Sequence, residues 1–335
     1  MKTHLAILGQ GAVSPAGIGV DALFGATPQA VETALVGKPE ARRPVFRVDP
    51  KQPALARWQA EPRMRRASPY TLFLAEAAAQ ALGDLDAAAR ATTGLVVASA
   101  LGCLGYSRRF YEGIVSQGRK GASPALFPDT VYNSPVSHVA ATLGLGRAAY
   151  ALVGDETAWI DALQTASLWL RRGEAERVLV LGAEEFDPII LDAAAAAGER
   201  GRFVPSEGAG GLLVGLAGKG TAVAEIAEAR SGVPYRSRRQ EAAAARRCLA
   251  ALDPALPLYR SAGHNRFAAL EQDLAAERPA LPGDPLPHLG EAFSASAAWQ
   301  TIRAVRAAGT ASRLALPVWG LHCRVGALVL DRVPE

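Results

Sequence analysis

The stretch ALVGDETAWIDALQTASLWLRRGEAERVLVLGAEE, residues 151–185, puts a carboxylate where the chain passes from a strand to a helix. The apolar start, the turn GDET and the helical period of AWIDALQTASLWL predict a strand, a tight turn and an amphipathic helix, and RVLVLGA predicts a second buried strand. Glu156 sits on that turn. A helix N-terminus presents unpaired N–H groups and a partial positive charge, so many enzymes of this build place a nucleophile there, and a carboxylate would be held as an anion. The plainer alternative is an exposed helix-start glutamate that complements the dipole. The three cysteines, Cys103, Cys248 and Cys323, show no CxxC or Cys/His spacing, so no metal site and no disulfide framework is expected. Cys103 in ALGCLGY and Cys248 in ARRCLAAL read as small buried hydrophobes. Trp159, Trp169 and Trp299 read as core or interface packing, with narrowing of a pocket as the alternative.

The elements that must position these groups follow from patterning. In a chain of 335 residues, 50% hydrophobic and 20% charged, there is enough apolar material for one large domain or two fused halves. Its net charge of +4 and pI near 9.1 come from dispersed arginines, without a basic stripe interleaved with aromatics, so nucleic-acid binding is not expected. The opening MKTHLAILGQGAVSPAGIGV has an apolar core of only Leu5 to Leu8, interrupted by Gln10, and reads as a first buried strand entering a Gly-rich turn rather than a signal peptide. No run approaches the roughly 20 apolar residues of a membrane span, and the cytoplasm is the default location. Short β-rich runs (LAILG, TGLVVASA, RVLVLGA, GGLLVGLAG, TAVAEIA, GALVLDRV) alternate with Ala-rich helical stretches, which argues for an α/β fold with sheets covered on both faces. A boundary between halves is expected near Gly218, with a new strand opening at Thr221.

Five stretches in order resemble the β-ketoacyl-(acyl carrier protein) synthases, the condensing enzymes of the thiolase fold. They are ILGQGAVSPAGIGVDALF, SPALFPDTVYNSPVSHVAATLGLG, LQTASLWLRRGEAERVLVLGAEE, SEGAGGLLV and PVWGLHCRVGALVL. The resemblance implies a thiolase-like αβαβα five-layered sandwich of two pseudo-repeated halves, residues 1–218 and 219–335, and a dimer. Members usually run longer, and the missing length falls in cap insertions and the irregular middle region.

The same resemblance assigns Glu156, Ser261 and Glu291 to the positions of the family's Cys-His-His set. The supporting lysine falls on Leu286, and His264, three residues after Ser261, is a substitute that a loop adjustment could bring to the pocket. A cysteine is needed at the first position because a helix N-terminus lowers the thiol pKa, whereas a carboxylate is a poor acyl acceptor. The family's Gly-Phe-Gly-Gly loop becomes Gly320-Leu321-His322-Cys323, whose side chains should fill space that glycines leave to an acyl thioester. A relocated His322/Cys323 pair is disfavoured, because neighbours on an extended segment point to opposite faces. Asn133 and Glu207 match positions that tie loops near the pocket floor. The expected function is a non-condensing homologue that resembles a chain length factor, with no cofactor, in polyketide, aryl polyene or fatty-acid-type biosynthesis. Its partners would be an active ketosynthase subunit, or a second copy of itself, and acyl carrier protein. Two alternatives stand: altered chemistry (decarboxylation, acyl transfer or hydrolysis) with Glu156 and Glu291 as an acid/base pair, and a homodimeric scaffold for the acidic carrier protein.

Overall fold

The glycine-rich opening is a strand throughout: β1 (Lys2–Ser14) continues across Gly9-Gln10-Gly11, where the sequence suggests a turn. A Cβ at Gly9 would strike the carbonyl of Ala81, and one at Gly11 that of Ala77. The glycines therefore let a helix lie against the strand instead of reversing the chain. The computed structural model describes residues 2–198, 204–218, 222–263, 265–281, 288–307, 311–322 and 324–333.

After β2 (Gly17–Ile18), the hairpin of β3 (Val31–Ala34) and β4 (Arg42–Val45) and the short α1 (Pro53–Ala56), helix α2 (Pro69–Leu82) leads through α3 (Ala87–Ala91) to β5 (Thr93–Ser99). Next come α4 (Leu104–Gln117), α5 (Asn133–Leu143), β6 (Ala149–Val153), α6 (Ala158–Arg172), β7 (Arg177–Glu184), α7 (Ile189–Ala196) and β8 (Gly208–Leu216). The chain finishes with β9 (Ala224–Pro234), α8 (Arg238–Ala250), α9 (Ala268–Ala276), α10 (Phe293–Ala307), β10 (Arg313–Trp319) and β11 (Arg324–Asp331). Local signals set several ends. Ser68 caps α2, its hydroxyl accepting from the Thr71 N–H at 3.2 Å, and α6 stops at Gly173 in the left-handed region.

The strands lie in the order β10-β11-β9-β1-β8-β7-β5-β6, with β2 on β1. In the N-terminal part β5 runs parallel to β6 and β7, while β7–β8 and β8–β1 are antiparallel. The C-terminal part repeats the pattern: β10–β11 and β11–β9 are antiparallel, and Leu258 makes one parallel bridge to Ala315 of β10, where β5 pairs with β7 in the first part. The counterpart of β5 is thus reduced to a bridge. Antiparallel pairing of β1 with β9 joins the two ladders.

Alternation along the strands makes five layers. On β7, Leu179 and Leu181 face α2 and α5, whereas Val178 and Val180 face a middle layer of α6 and α10. On β11, Leu328 and Leu330 face the same middle layer, and Val325, Ala327 and Val329 face α8. Trp159 and Trp299, both fully buried, fill the middle layer, in agreement with the core reading. Cys103 and Cys248 are buried and free. Burial pushes both thiols up, to about 12 and about 11, which leaves them inert as nucleophiles at neutral pH.

Close helix packing on β7 depends on Gly182, where a Cβ would collide with the Ser294 carbonyl and approach the Ala298 methyl to 3.2 Å. Gly182→Val is expected to cost about 1–3 kcal/mol by overpacking, read as a lower urea midpoint. Gly218 lies in the turn after β8 with φ of +77°, and Thr221 lies outside the described residues. Among the described residues no helix is long and apolar enough to cross a membrane.

Candidate functional site

Strand β6 delivers the chain to the turn Gly154-Asp155-Glu156-Thr157, and α6 starts at Ala158. Asp155, not Glu156, serves the helix start: its Oδ1 accepts from the Thr157 N–H at 3.1 Å and from the Thr157 hydroxyl, and Arg324 stands 3.9 Å away. Glu156 is only 3% exposed, which removes the reading of an exposed helix-start glutamate. Its Oε2 accepts from the Leu321 N–H at 2.8 Å, while its Oε1 has no hydrogen-bond partner. Burial, then the charge of Glu291, then that of Asp155 push the Glu156 carboxyl well above the usual carboxylate range, against the backbone N–H groups of Glu156 and Leu321. The expected anion is therefore disfavoured, because loss of solvent outweighs the helix dipole.

Ser261 and Glu291 meet Glu156 at one small cavity, lined also by Asn265, Ser296, Gln300 and Trp319. The Ser261 hydroxyl donates to the Pro317 carbonyl at 2.7 Å, and its backbone N–H donates to buried Glu271 at 2.7 Å. Glu291 Oε1 accepts from the Phe293 N–H at 3.1 Å, and Oε2 accepts from the Asn265 amide at 3.3 Å. Burial raises the Glu291 carboxyl too, opposed by bonds from Asn265, Ser296 and Phe293. Phe293 itself holds φ of +43°, a left-handed backbone costing about 1–3 kcal/mol, fixed where α10 begins beside the site. The cavity encloses about 30 Å³, room for about one water and not for an acyl thioester.

A second space of about 800 Å³ lies on the other side of the C-terminal loop. Its apolar walls come from Leu101, Leu104, Ile189, Ile190 and Phe293, and its polar rim from Tyr235, Arg236, Arg238 and Arg266. Leu321 and His322 line this cleft rather than the carboxyl cavity. His322 is exposed, its ring 6.0 Å from that of Phe293. The loop is clamped: Tyr235 donates to the Gly320 carbonyl at 2.5 Å, Arg266 donates to the Leu321 carbonyl at 2.5 Å, and Arg266 pairs with Glu241 at 2.8 Å. His264, Leu286 and Cys323 lie outside the described residues.

Asn133 departs from expectation. It is exposed in the first turn of α5, reaches only Ser137 at 3.4 Å and lines neither space, because that turn faces the surface. Glu207 does tie loops, accepting from Arg47 at 2.7 Å, Val48 N–H at 3.0 Å and Phe186 N–H at 3.0 Å. Sequence reading missed Asp155, although Asp two residues before a Thr at a helix start is a recognisable Asx-turn signal. It also missed Asn265 and Arg266, which directly follow His264. No sequence pattern marked Tyr235.

This arrangement of strands and helices can be compared with solved structures. "The ishigamide ketosynthase/chain length factor" superposes with a TM-score of 0.81 at 20% identity, over 99% of this chain and 100% of that one. A β-ketoacyl synthase from Burkholderia phymatum STM815 matches with a TM-score of 0.75 at 14% identity, over the whole of both chains. The fold is that of the ketosynthases. The ketosynthase of a type II polyketide assembly, "AntDE:AntF", solved with its acyl-carrier protein, also matches, with a TM-score of 0.71 at 14% identity over 99% of this chain and 100% of that one. No family model matches the sequence, and no curated protein matches it. The likeness is thus carried by the backbone.

Proposed function

We propose that the chain is a non-condensing homologue of the β-ketoacyl synthases, a chain-length-factor-like cytoplasmic subunit in polyketide, aryl polyene or fatty-acid-type biosynthesis. The observation that carries this reading is Glu156: the turn that would present a nucleophile holds a buried carboxyl, bonded to the Leu321 N–H, in a cavity with room for about one water. In this reading residues 1–218 and 219–335 are the two halves of one ketosynthase-like unit, and an active ketosynthase supplies the reacting cysteine. The 800 Å³ cleft supports it, offering apolar walls for an acyl chain and Arg236 and Arg238 at a mouth that suits an acidic carrier protein. So does β6, which ends the sheet and exposes Tyr150 and Val153, each 55% accessible, where a partner subunit could add its own strand.

The alternative, in which Glu156 and Glu291 perform acid/base chemistry, is favoured by their meeting at one cavity and opposed by the size of that cavity. Co-expression with a Cys-His-His ketosynthase tests the proposal. The expected result is a one-to-one heterodimer that extends malonyl units on carrier protein, with shorter products when Leu101→Trp narrows the cleft. A lone homodimer that turns over malonyl carrier protein by itself would overturn it.

A further inference from the structure

We propose that the cleft of about 800 Å³ binds a free alkyl carboxylic acid, its tail on the apolar wall and its carboxylate at the arginine rim. The inference rests on the non-condensing reading above and names a ligand for the same cleft. Leu101 and Leu104 pack on the buried cluster of Leu35, Val45, Phe186, Ile190 and Leu191 yet stay half-buried, and Ile189 beside them is 40% exposed. The wall is therefore apolar surface that an alkyl chain would remove from water. The volume falls within the range of about 300–1,000 Å³ usual for small-molecule sites, where apolar walls give affinity and a few polar groups fix orientation.

The wall is held in place before a ligand arrives. Buried Glu184 accepts from the Ala100 and Leu101 N–H groups at 2.5 and 3.0 Å, and buried Glu185 accepts from the Gly105 N–H at 2.8 Å. These bonds pin the segment that carries Leu101 and Leu104. Tyr235 and Arg266 hold the loop that brings Leu321 to the same cleft. Binding to a preorganised site loses little to the ordering of its walls.

The charges select the head group. Both acids of the lining are engaged within the chain: Glu241 pairs with Arg266 at 2.8 Å, and Asp155 accepts from Thr157 with Arg324 at 3.9 Å. At the rim Arg236 and Arg238 are exposed, and the Arg236 guanidinium has no ion-pair partner among the described residues. A guanidinium binds a carboxylate through charge-assisted hydrogen bonds, roughly twice as strong as those to a neutral acceptor, and a thioester carries no charge. Among the described residues the lining has no Cys or Lys to fix an acyl group covalently, and Glu156 lies in the separate one-water cavity. A free acid uses both features of the cleft, the apolar wall and the basic rim.

Isothermal titration calorimetry of the full chain with decanoate at pH 8 tests this. Expected are one site per chain, affinity rising about fourfold per added CH₂ from hexanoate to decanoate, and decanol bound about tenfold more weakly at low salt. The double variant Arg236→Gln/Arg238→Gln removes the preference for the acid and leaves decanol binding unchanged. Leu101→Trp abolishes binding of both. Where Leu101→Trp fails to fold, Ile189→Glu, at an exposed position, decides by weakening decanoate at least tenfold. Equal affinity for acid and alcohol, or undiminished binding in folded wall variants, would overturn the proposal. S-decanoyl phosphopantetheine bound tenfold more tightly than decanoate would assign the arginines to the phosphate of a carrier arm and overturn it as well. A chain that binds no decanoate can still pair with a ketosynthase on co-expression, so the two proposals fail separately.

Discussion

At pH 8, Glu156→Gln is expected to be more stable than the wild type by about 1–3 kcal/mol, and the gain is expected to vanish near pH 4. The carboxyl of Glu156 is held well above its ordinary range by burial and by the charge of Glu291. Between the unfolded and folded pKa values the folded chain keeps a proton that the unfolded chain has released. Stability contributed by the protonated form is therefore complete below about pH 4 and falls as pH rises through the unfolded value toward the folded one. Glutamine has the same shape and does not ionise, so its curve lacks that fall. Urea midpoints measured from pH 4 to pH 8 give the comparison directly. Parallel curves for the two proteins would show that Glu156 is not held protonated.

Trp159→Ala is expected to cost about 3–5 kcal/mol, the usual range for truncating a large buried aromatic. Trp159 has no exposure, and its indole N–H donates to the Thr301 hydroxyl at 2.9 Å, linking α6 to α10 across the middle layer. Since that layer is the shared floor of both half-sheets, the cavity would loosen both. Equilibrium denaturation monitored by far-UV circular dichroism measures the loss. Trp159→Phe keeps most of the apolar contact and gives up the hydrogen bond, so a cost near 1 kcal/mol is expected for it.

How far the sequence foretells this molecule differs from element to element. The strands of the first part are legible because they are buried on both faces and read as unbroken apolar runs, as in TGLVVAS and RVLVLGAE. Gly9-Gln10-Gly11 misleads because glycine signals a turn as readily as a close helix contact, and only the carbonyls of Ala77 and Ala81 decide between the two. The convergence of Glu156, Ser261 and Glu291 was expected from resemblance alone, since 135 residues of chain separate the first from the last and no periodicity spans that distance. The upward push on the Glu156 carboxyl was not legible. A helix start argues for an anion, and burial reverses that only once the walls from Leu316 to Trp319 are in place. Asn133 shows the opposite failure, a residue type that matched a family position yet lies on the surface.

The pairing of β1 sets a timetable for synthesis. Leu5 faces Leu216 on β8 and Ile226 on β9, so this end of β1, beyond its short pairing with β2, has no ladder partner until more than 200 further residues are made. At ribosomal speeds of about 5–20 residues per second, that is a wait on the order of 10 to 40 s. Through that interval Leu5, Ala6 and Ile7 are exposed on a strand with two open edges, which makes the nascent chain a natural client for chaperones.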